Sequence, residues 1–317
     1  MDDMKPIEPI DIKKDMKVSE LVDGMGKMGF QARKISDAAK ILKTMKQDKE
    51  CMIFFGLAGA MVPGGMKKII IDMLNKGYID VFVTTGANLT HDLIEALGKR
   101  HYQGTHFVND EELKRLRIDR IYDVFLKDEV YKSLEDFFEK IFPILPKKMN
   151  IKEFLWELGK NIKYEDSIIR VCYEKKIPIF CPGISDSGIG CMMWGRLIRG
   201  ENIKERLSKE SRVNVDAFDD LREMFDLAWT CKKAGVFYIG GGVPKNFIQQ
   251  AMQFSIKQDG ASYGIQITTD RPEPGGSSGA PLKEGISWGK MSPSGNFVTV
   301  FCDATIALPL IYGAVKE

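Results

Sequence analysis

Several chemistries are set aside by what this sequence lacks. Its three histidines, His91, His101 and His106, match no helical metal-ligand spacing, and its six cysteines form no CxxC pair. Zinc is therefore not expected, and the histidines read as structural or hydrogen-bonding residues. Cys51, Cys172, Cys181, Cys191, Cys231 and Cys302 lie mostly in apolar runs, which suits free thiols in a reducing compartment. GxxxxGK[ST] does not occur and the glycine turn at Gly56–Gly59 is not GxGxxG, so neither a P-loop nor the ordinary dinucleotide fingerprint is read there. No sign of charge dominates. With 46 Lys+Arg against 44 Asp+Glu, the net charge of +2 gives no global field of the kind that nucleic-acid or membrane-surface binders carry. Met1-Asp-Asp-Met-Lys-Pro is polar and acidic, unlike a secretory leader. The apolar stretch from Val298 to Val315 contains Asp303 and Pro309, and reads as strand, turn and short helix, not as a membrane span. Repeats and low-complexity tracts are absent. The expectation is a soluble cytoplasmic protein with no nucleic-acid or membrane partner.

What is present is a set of six short runs rich in β-branched and aromatic residues, each ending in small or polar ones. They are Cys51–Phe55, Val81–Val83, Pro178–Cys181, Val236–Ile239, Tyr263–Ile267 and Val298–Cys302. Continuous apolar strands of this kind fit a parallel sheet covered on both faces. Helical patterns run from Gly65 to Lys76, His91 to Gly98, Asp166 to Lys175, Asp216 to Lys233 and Phe247 to Lys257. Alternation of strand and helix predicts an α/β fold: a doubly wound, mostly parallel sheet of about six strands, Rossmann-like, with helices on both faces. Residues 1–17 read as an arm, Val18 to Lys46 as two amphipathic helices broken at Gly29–Ala32, and 18–317 as one domain. A charged, helical insertion is expected from His101 to Asn161.

In such sheets ligands bind outside the carboxyl ends of the strands, which is where the glycines, threonines, Asp186 and Asp303 collect. Gly56-Leu-Ala-Gly59 with Gly64-Gly65 resembles a phosphate-cradling turn, and is equally a tight strand-to-helix turn. Gly240-Gly-Gly-Val-Pro-Lys245 is a stronger signal, because three glycines in a row are entropically costly unless backbone must come close to something. Asp303 suits either ribose hydroxyls or a helix cap. Lys290, in Gly285-Ile-Ser-Trp-Gly-Lys290, sits beside an indole in a segment poor in charge. A desolvated lysine is a candidate nucleophile, since only the neutral amine attacks an imine or carbonyl carbon. The alternative is a surface lysine at a strand start.

Gly29-Phe-Gln-Ala32, Val83-Thr-Thr85, Gly240-Gly-Gly-Val-Pro-Lys245, Ser287-Trp-Gly-Lys290 and Asp303-Ala304, in this order and spacing, resemble deoxyhypusine synthase over about residues 18 to 313. The resemblance implies an NAD-dependent transfer of an aminobutyl group from spermidine, through an enzyme-lysine imine, to a lysine of the hypusine-carrying translation factor. It implies Lys290 as the catalytic lysine, Trp288 beside the polyamine chain and Glu284 as an ammonium anchor. It assigns NAD contacts to the turn from Gly59 to Pro63, Thr85, Asp186, Gly241, Thr269, Asp303 and Ala304. It also implies a homotetramer with sites at subunit interfaces. Against the better-known branch, Cys191 and Ser277 stand where acidic residues are expected, Asn246 where a histidine is, and Thr90-His91 where a glutamate pair is. Those departures leave open a different amine, as in homospermidine formation or the use of agmatine. A non-catalytic NAD-binding partner subunit is a further alternative, with Lys290 as the argument against it.

Overall fold

A computed structural model describes residues 4–197, 213–256 and 260–316. In chain order the elements are α1 (Val18–Met25), α2 (Phe30–Gln47), β1 (Cys51–Leu57), α3 (Lys67–Asn75), β2 (Val81–Thr84) and α4 (Gly86–Ala96). There follow β3 (Tyr102–Gln103), α5 (Asp110–Arg115), β4 (Ile118–Ile121), β5 (Val124–Lys127), α6 (Glu129–Ile141), β6 (Lys148–Asn150) and α7 (Ile151–Asn161). Then come α8 (Ile168–Lys175), β7 (Ile179–Phe180), α9 (Gly188–Leu197), β8 (Asn214–Asp216) and α10 (Phe218–Thr230). The chain closes with β9 (Lys233–Ile239), α11 (Gly242–Gln253), β10 (Ala261–Thr268), β11 (Met291–Phe301) and α12 (Ala304–Lys316). All six expected apolar runs are strands of one sheet, in the order β11-β10-β9-β1-β2-β7. The pairs β1/β9, β9/β10 and β10/β11 are parallel. The fold is therefore α/β with a six-stranded parallel sheet flanked by helices. No helix among the described residues is long and apolar enough to cross a membrane.

The chain divides into two compact units, the first comprising 1–58, 77–83 and 224–317 and the second 59–76 and 84–223. In the first, the core strands are apolar on both sides: Phe54, Phe55, Phe237, Tyr238, Ile265, Ile267 and Val300 are buried. The ring of Phe55 meets Phe237 edge-on at 5.1 Å. Such strands need cover on both faces. Helix α2 supplies it with a stripe at helical spacing, Ile35, Ala38, Ala39, Leu42 and Met45, and α12 with Ala307, Leu308 and Ile311. Each full-size side chain buried this way contributes about 1.5–3 kcal/mol. The break between α1 and α2 lies at 26–29, with Phe30 in a left-handed conformation (φ 55°). Residues 4–17 form no helix or strand, and Glu8 pairs with Lys27 at 2.5 Å.

In the second unit α4, α7 and α8 bury Leu89, Leu93, Phe154, Leu155, Leu158, Ile168 and Ile169. The segment 101–161, expected to be helical, holds α5, α6 and α7 but also a three-stranded antiparallel sheet, β3-β5-β4. Its strands have two to four residues each and, Leu126 apart, are exposed or half-buried, so no long apolar run announces them. Helix α4 begins five residues before the expected start at His91, because Thr85 caps it. The end expected for α11, Lys257, lies outside the described residues.

Candidate active site

In the first unit the glycine run leads from β9 into α11. Gly240 and Gly242 take φ of +67° and +54°, which a side chain resists. Gly241 is required for a different reason: a Cβ there would lie 2.3 Å from Ser278 Cα. The close backbone approach read from the glycine run is thus filled, at its middle residue, by the chain's own 277–278 turn.

That turn is fastened from beneath. Lys245, on the first turn of α11, is 2% exposed, and its Nζ donates to Ser277 O and Ala280 O at 2.7 Å and to Gln266 Oε1 at 3.1 Å. Gln266, inside β10, donates through Nε2 to Ser278 O at 2.9 Å and Gly240 O at 3.2 Å. Burial pushes the Lys245 ammonium down to about 8, with the Glu284 carboxylate raising it and the Lys290 charge lowering it further. Neither Lys245 nor Gln266 carried a functional role in the sequence reading. A glutamine in an otherwise apolar strand was the available signal, because a polar group buried there must find partners.

Above this cradle the chain runs through a short 3-10 turn, Leu282–Ile286, to Lys290. Lys290 N donates to Gly285 O at 2.8 Å, and Lys290 O accepts from Ala261 N at 3.0 Å, so the backbone is fixed at the start of β11. Its Nζ lies 4.9 Å from the centre of the Trp288 ring. Glu284 and Trp288 are exposed, Lys290 half-buried, and Ser277 and Asn246 half-buried. Lys290 is therefore only partly withdrawn from solvent in the single chain, with the indole against its ammonium. Lys290, Trp288 and Glu284 belong to one turn, and the charges of Glu284 and Lys290 both reach Lys245.

Of the residues expected at NAD, Gly241, Thr269, Asp303 and Ala304 lie at the ends of β9, β10 and β11 in the first unit. Asp303 serves as a cap, its Oδ1 accepting from Thr305 N at 2.7 Å, and its side chain stays exposed. Gly59, Pro63, Thr85 and Asp186 belong to the second unit. Asn88 joins two of these positions, its Nδ2 donating to Gly59 O (2.8 Å) and Thr85 Oγ1 (3.2 Å), while its Oδ1 accepts from Val62 N (3.2 Å) beside Pro63. The 184–190 turn, with Asp186 exposed, covers the same end of α4, where a Cβ on Gly86 would lie 2.4 Å from Ser187 Cβ. Cys191, exposed on α9, follows that turn. Gly59, Asp186, Thr269 and Asp303 are exposed, Thr85 and Ala304 half-buried, and Pro63 and Gly241 buried; within each unit the exposed groups near helix amino termini fit the chemistry of a dinucleotide, which presents hydroxyls and phosphates.

A deoxyhypusine synthase family profile matches residues 20–315. A curated "Probable deoxyhypusine synthase 1" of Methanosarcina acetivorans is 43% identical over 313 residues, covering 98% of this chain and 94% of its own. Its Archaeoglobus fulgidus counterpart is 43% identical over 307 residues, covering 97% and 96%. Among solved structures, one from Entamoeba histolytica presented as a deoxyhypusine synthase superposes with a TM-score of 0.64 at 18% identity, covering 98% and 96%, which concerns the fold alone.

Proposed function

The chain belongs to the deoxyhypusine synthase family of transferases, and from that premise we propose that it moves an aminobutyl group from spermidine to a lysine of the hypusine-carrying translation factor with NAD as cofactor. NAD supplies a hydride acceptor, which is returned as a donor at the end of the cycle. The remaining tasks fall to side chains. Lys290 is the nucleophile: its amine adds to the imine carbon of the oxidised spermidine, the bond to the old nitrogen breaks with diaminopropane leaving, and the lysine holds the aminobutyl group as an imine until the acceptor lysine displaces it. Trp288 lines the alkyl chain, and Glu284 pairs with a terminal ammonium. Gly59, Pro63, Thr85 and Asp186, with Gly241, Thr269, Asp303 and Ala304, hold NAD, Asp303 accepting from ribose hydroxyls.

The observation that carries this reading is the Lys245 cradle, which fixes the 277–280 turn just ahead of Glu284, Trp288 and Lys290. A buried ammonium is expensive to place, and this one is spent on holding that turn. The exposure of Trp288 fits a homotetramer in which the site is completed at a subunit interface, in a soluble cytoplasmic enzyme.

A second reading keeps the chemistry and changes the amine. Ser277, Cys191 and Asn246 offer no carboxylate, and the Ser277 carbonyl is already committed to Lys245. That favours donors or acceptors with fewer buried ammoniums than spermidine, such as putrescine or agmatine. Mass spectrometry after incubation with NAD and a panel of amines, with and without the translation factor, separates the readings. A mass increment on the factor supports the first, a new free polyamine supports the second, and no product at all rejects both.

A further inference from the structure

One face of α11 underlies the stretch from Ser277 to Lys290, all of it within the first unit. Lys245 and Gln249 stand one helical turn apart and so share that face. Lys245 holds the early part of the stretch through the carbonyls of Ser277 and Ala280. Gln249 reaches the later part. It is 6% exposed, yet its amide makes no hydrogen bond among the described residues, and neither of its polar atoms is among those sealed from solvent and unpaired. The amide is thus buried at the rim of an opening, with its donors and its acceptor unengaged. Buried polar groups find partners, and an apolar side chain would fill the same place without needing one.

What the amide faces is decided at Gly285. A Cβ there would lie 2.9 Å from Met291 Cγ, 3.4 Å from Lys290 Cβ and 3.7 Å from Gln249 Nε2. The point left open by the missing side chain therefore borders both the Gln249 amide and the Lys290 stem. Beyond its Cβ the lysine chain is flexible and long enough to carry its nitrogen to either side of that point. In the structure the nitrogen is turned outward, 4.9 Å from the centre of the Trp288 ring, and Trp288 is itself exposed. An indole face next to water suits an ammonium. The inward position is the reverse: burial disfavours the charge, while an amide presents an acceptor and donors to a neutral nitrogen. The charged groups coupled to this turn are Glu284, within it, and Lys245, beneath it on α11.

We propose that Gln249 is a positioning residue for Lys290: the neutral amine leaves the Trp288 face, turns inward and is held by the Gln249 amide, which holds the same nitrogen again once it carries the aminobutyl group as an imine. This role rests on the proposed function, which supplies the group carried. The amide itself moves no proton and forms no covalent bond. Its Oε1 accepts from one N–H of the amine, leaving the lone pair free to attack, and later from the N–H of a protonated imine. Its Nε2 donates to the lone pair of the unprotonated imine. Because an amide does not titrate, it serves each of these forms without competing for the proton, which a carboxylate in the same place would keep on the lysine.

Reductive methylation of the NAD-free, full-length protein with formaldehyde and cyanoborohydride, read by mass spectrometry on the peptide carrying Lys290, follows the neutral amine without turnover. Gln249→Leu should slow labelling of Lys290 at every pH, and Gln249→Glu should move its labelling curve to higher pH, with exposed lysines labelled as in wild type. With NAD and spermidine, Gln249→Leu should lower kcat and the rate of borohydride-trapped adduct about 10²-fold, with little change in KM for the amine or in NAD affinity. Gln249→Asn, which keeps a shorter amide, should lose less. Where Gln249→Leu does not fold, the labelling curve of Gln249→Glu decides. Lys290 labelled alike in wild type and variants overturns the role, as does a folded Gln249→Leu enzyme with wild-type kcat, and the proposed function then stands without it. If labelling changes as expected but wild type forms no product with any amine, the proposed function fails and the placement of the Lys290 nitrogen on Gln249 stands.

Discussion

Each unit buries a lysine, and the two neutralise it differently. Lys67, 5% exposed, lies between the carboxylates of Asp92 and Glu95; Lys245, 2% exposed, lies among two backbone carbonyls and an amide oxygen. Carboxylates balance an ammonium charge for charge, so Lys67 completes a network that ties α3 and α4 to the start of α8. Neutral oxygens satisfy the N–H bonds but leave the charge uncompensated, and burial pushes Lys245 down to about 8. The difference separates a lysine that holds a scaffold from one that holds a turn next to chemistry. Lys290, half-buried against an indole, is a third case, with access to solvent.

The sharpest test of this division is Lys290→Arg, which keeps a cation but not a titratable amine. Turnover should fall on the order of 10³-fold or more while NAD affinity by calorimetry is retained, and borohydride trapping should label wild type only. An active Lys290→Arg enzyme would move the nucleophile elsewhere, with Lys245 the next residue to examine.

Lys67→Met should be the most damaging to stability. It leaves Asp92 buried and Glu95 half-buried without a cation, a loss of about 3–5 kcal/mol in denaturant unfolding. A loss below about 1 kcal/mol would mean that the α8 amides, which donate to Asp92, and His101, which pairs with Glu95, already satisfy the carboxylates.

The pH dependence of Lys245 has the opposite sign to that of a stabilising ion pair. Its folded value of about 8 lies below the ordinary 10.5, so between those values the unfolded chain binds more protons than the folded one, and stability rises with pH. Relative to Lys245→Met, wild type should gain about 3 kcal/mol from pH 8 to pH 10.5, measured by chemical unfolding. A flat difference would show that the three oxygen acceptors fully offset burial.

The smallest effect is expected at the strand ends. Asp303→Ala should weaken NAD by about 1.5–3 kcal/mol if the exposed carboxylate meets ribose hydroxyls. Unchanged affinity with a lowered melting temperature would reduce Asp303 to the cap of α12.

The six strands of the sheet were readable because buried parallel strands are continuous apolar runs, and α2 because its stripe repeats at helical spacing. The β3-β5-β4 sheet was not, since strands so short have no such run. At the site, the motif containing Trp288 and Lys290 stood out through its composition, whereas Lys245 lay in full view inside the glycine motif without a role.

The sequence by itself determined the α/β class, the strand order along the chain, the family and the residues that meet at the Gly285–Lys290 turn, because these depend on local pattern and on ordered motifs. Only the tertiary structure decided which lysine is buried and what it touches, that the middle glycine of Gly240–Gly242 is required by Ser278, and that the Gln249 amide and the Lys290 stem border one point at Gly285. Burial and hydrogen-bond partnership are set by residues distant in the chain, as Gln266, Ser277 and Ala280 are from Lys245, and no local pattern encodes them.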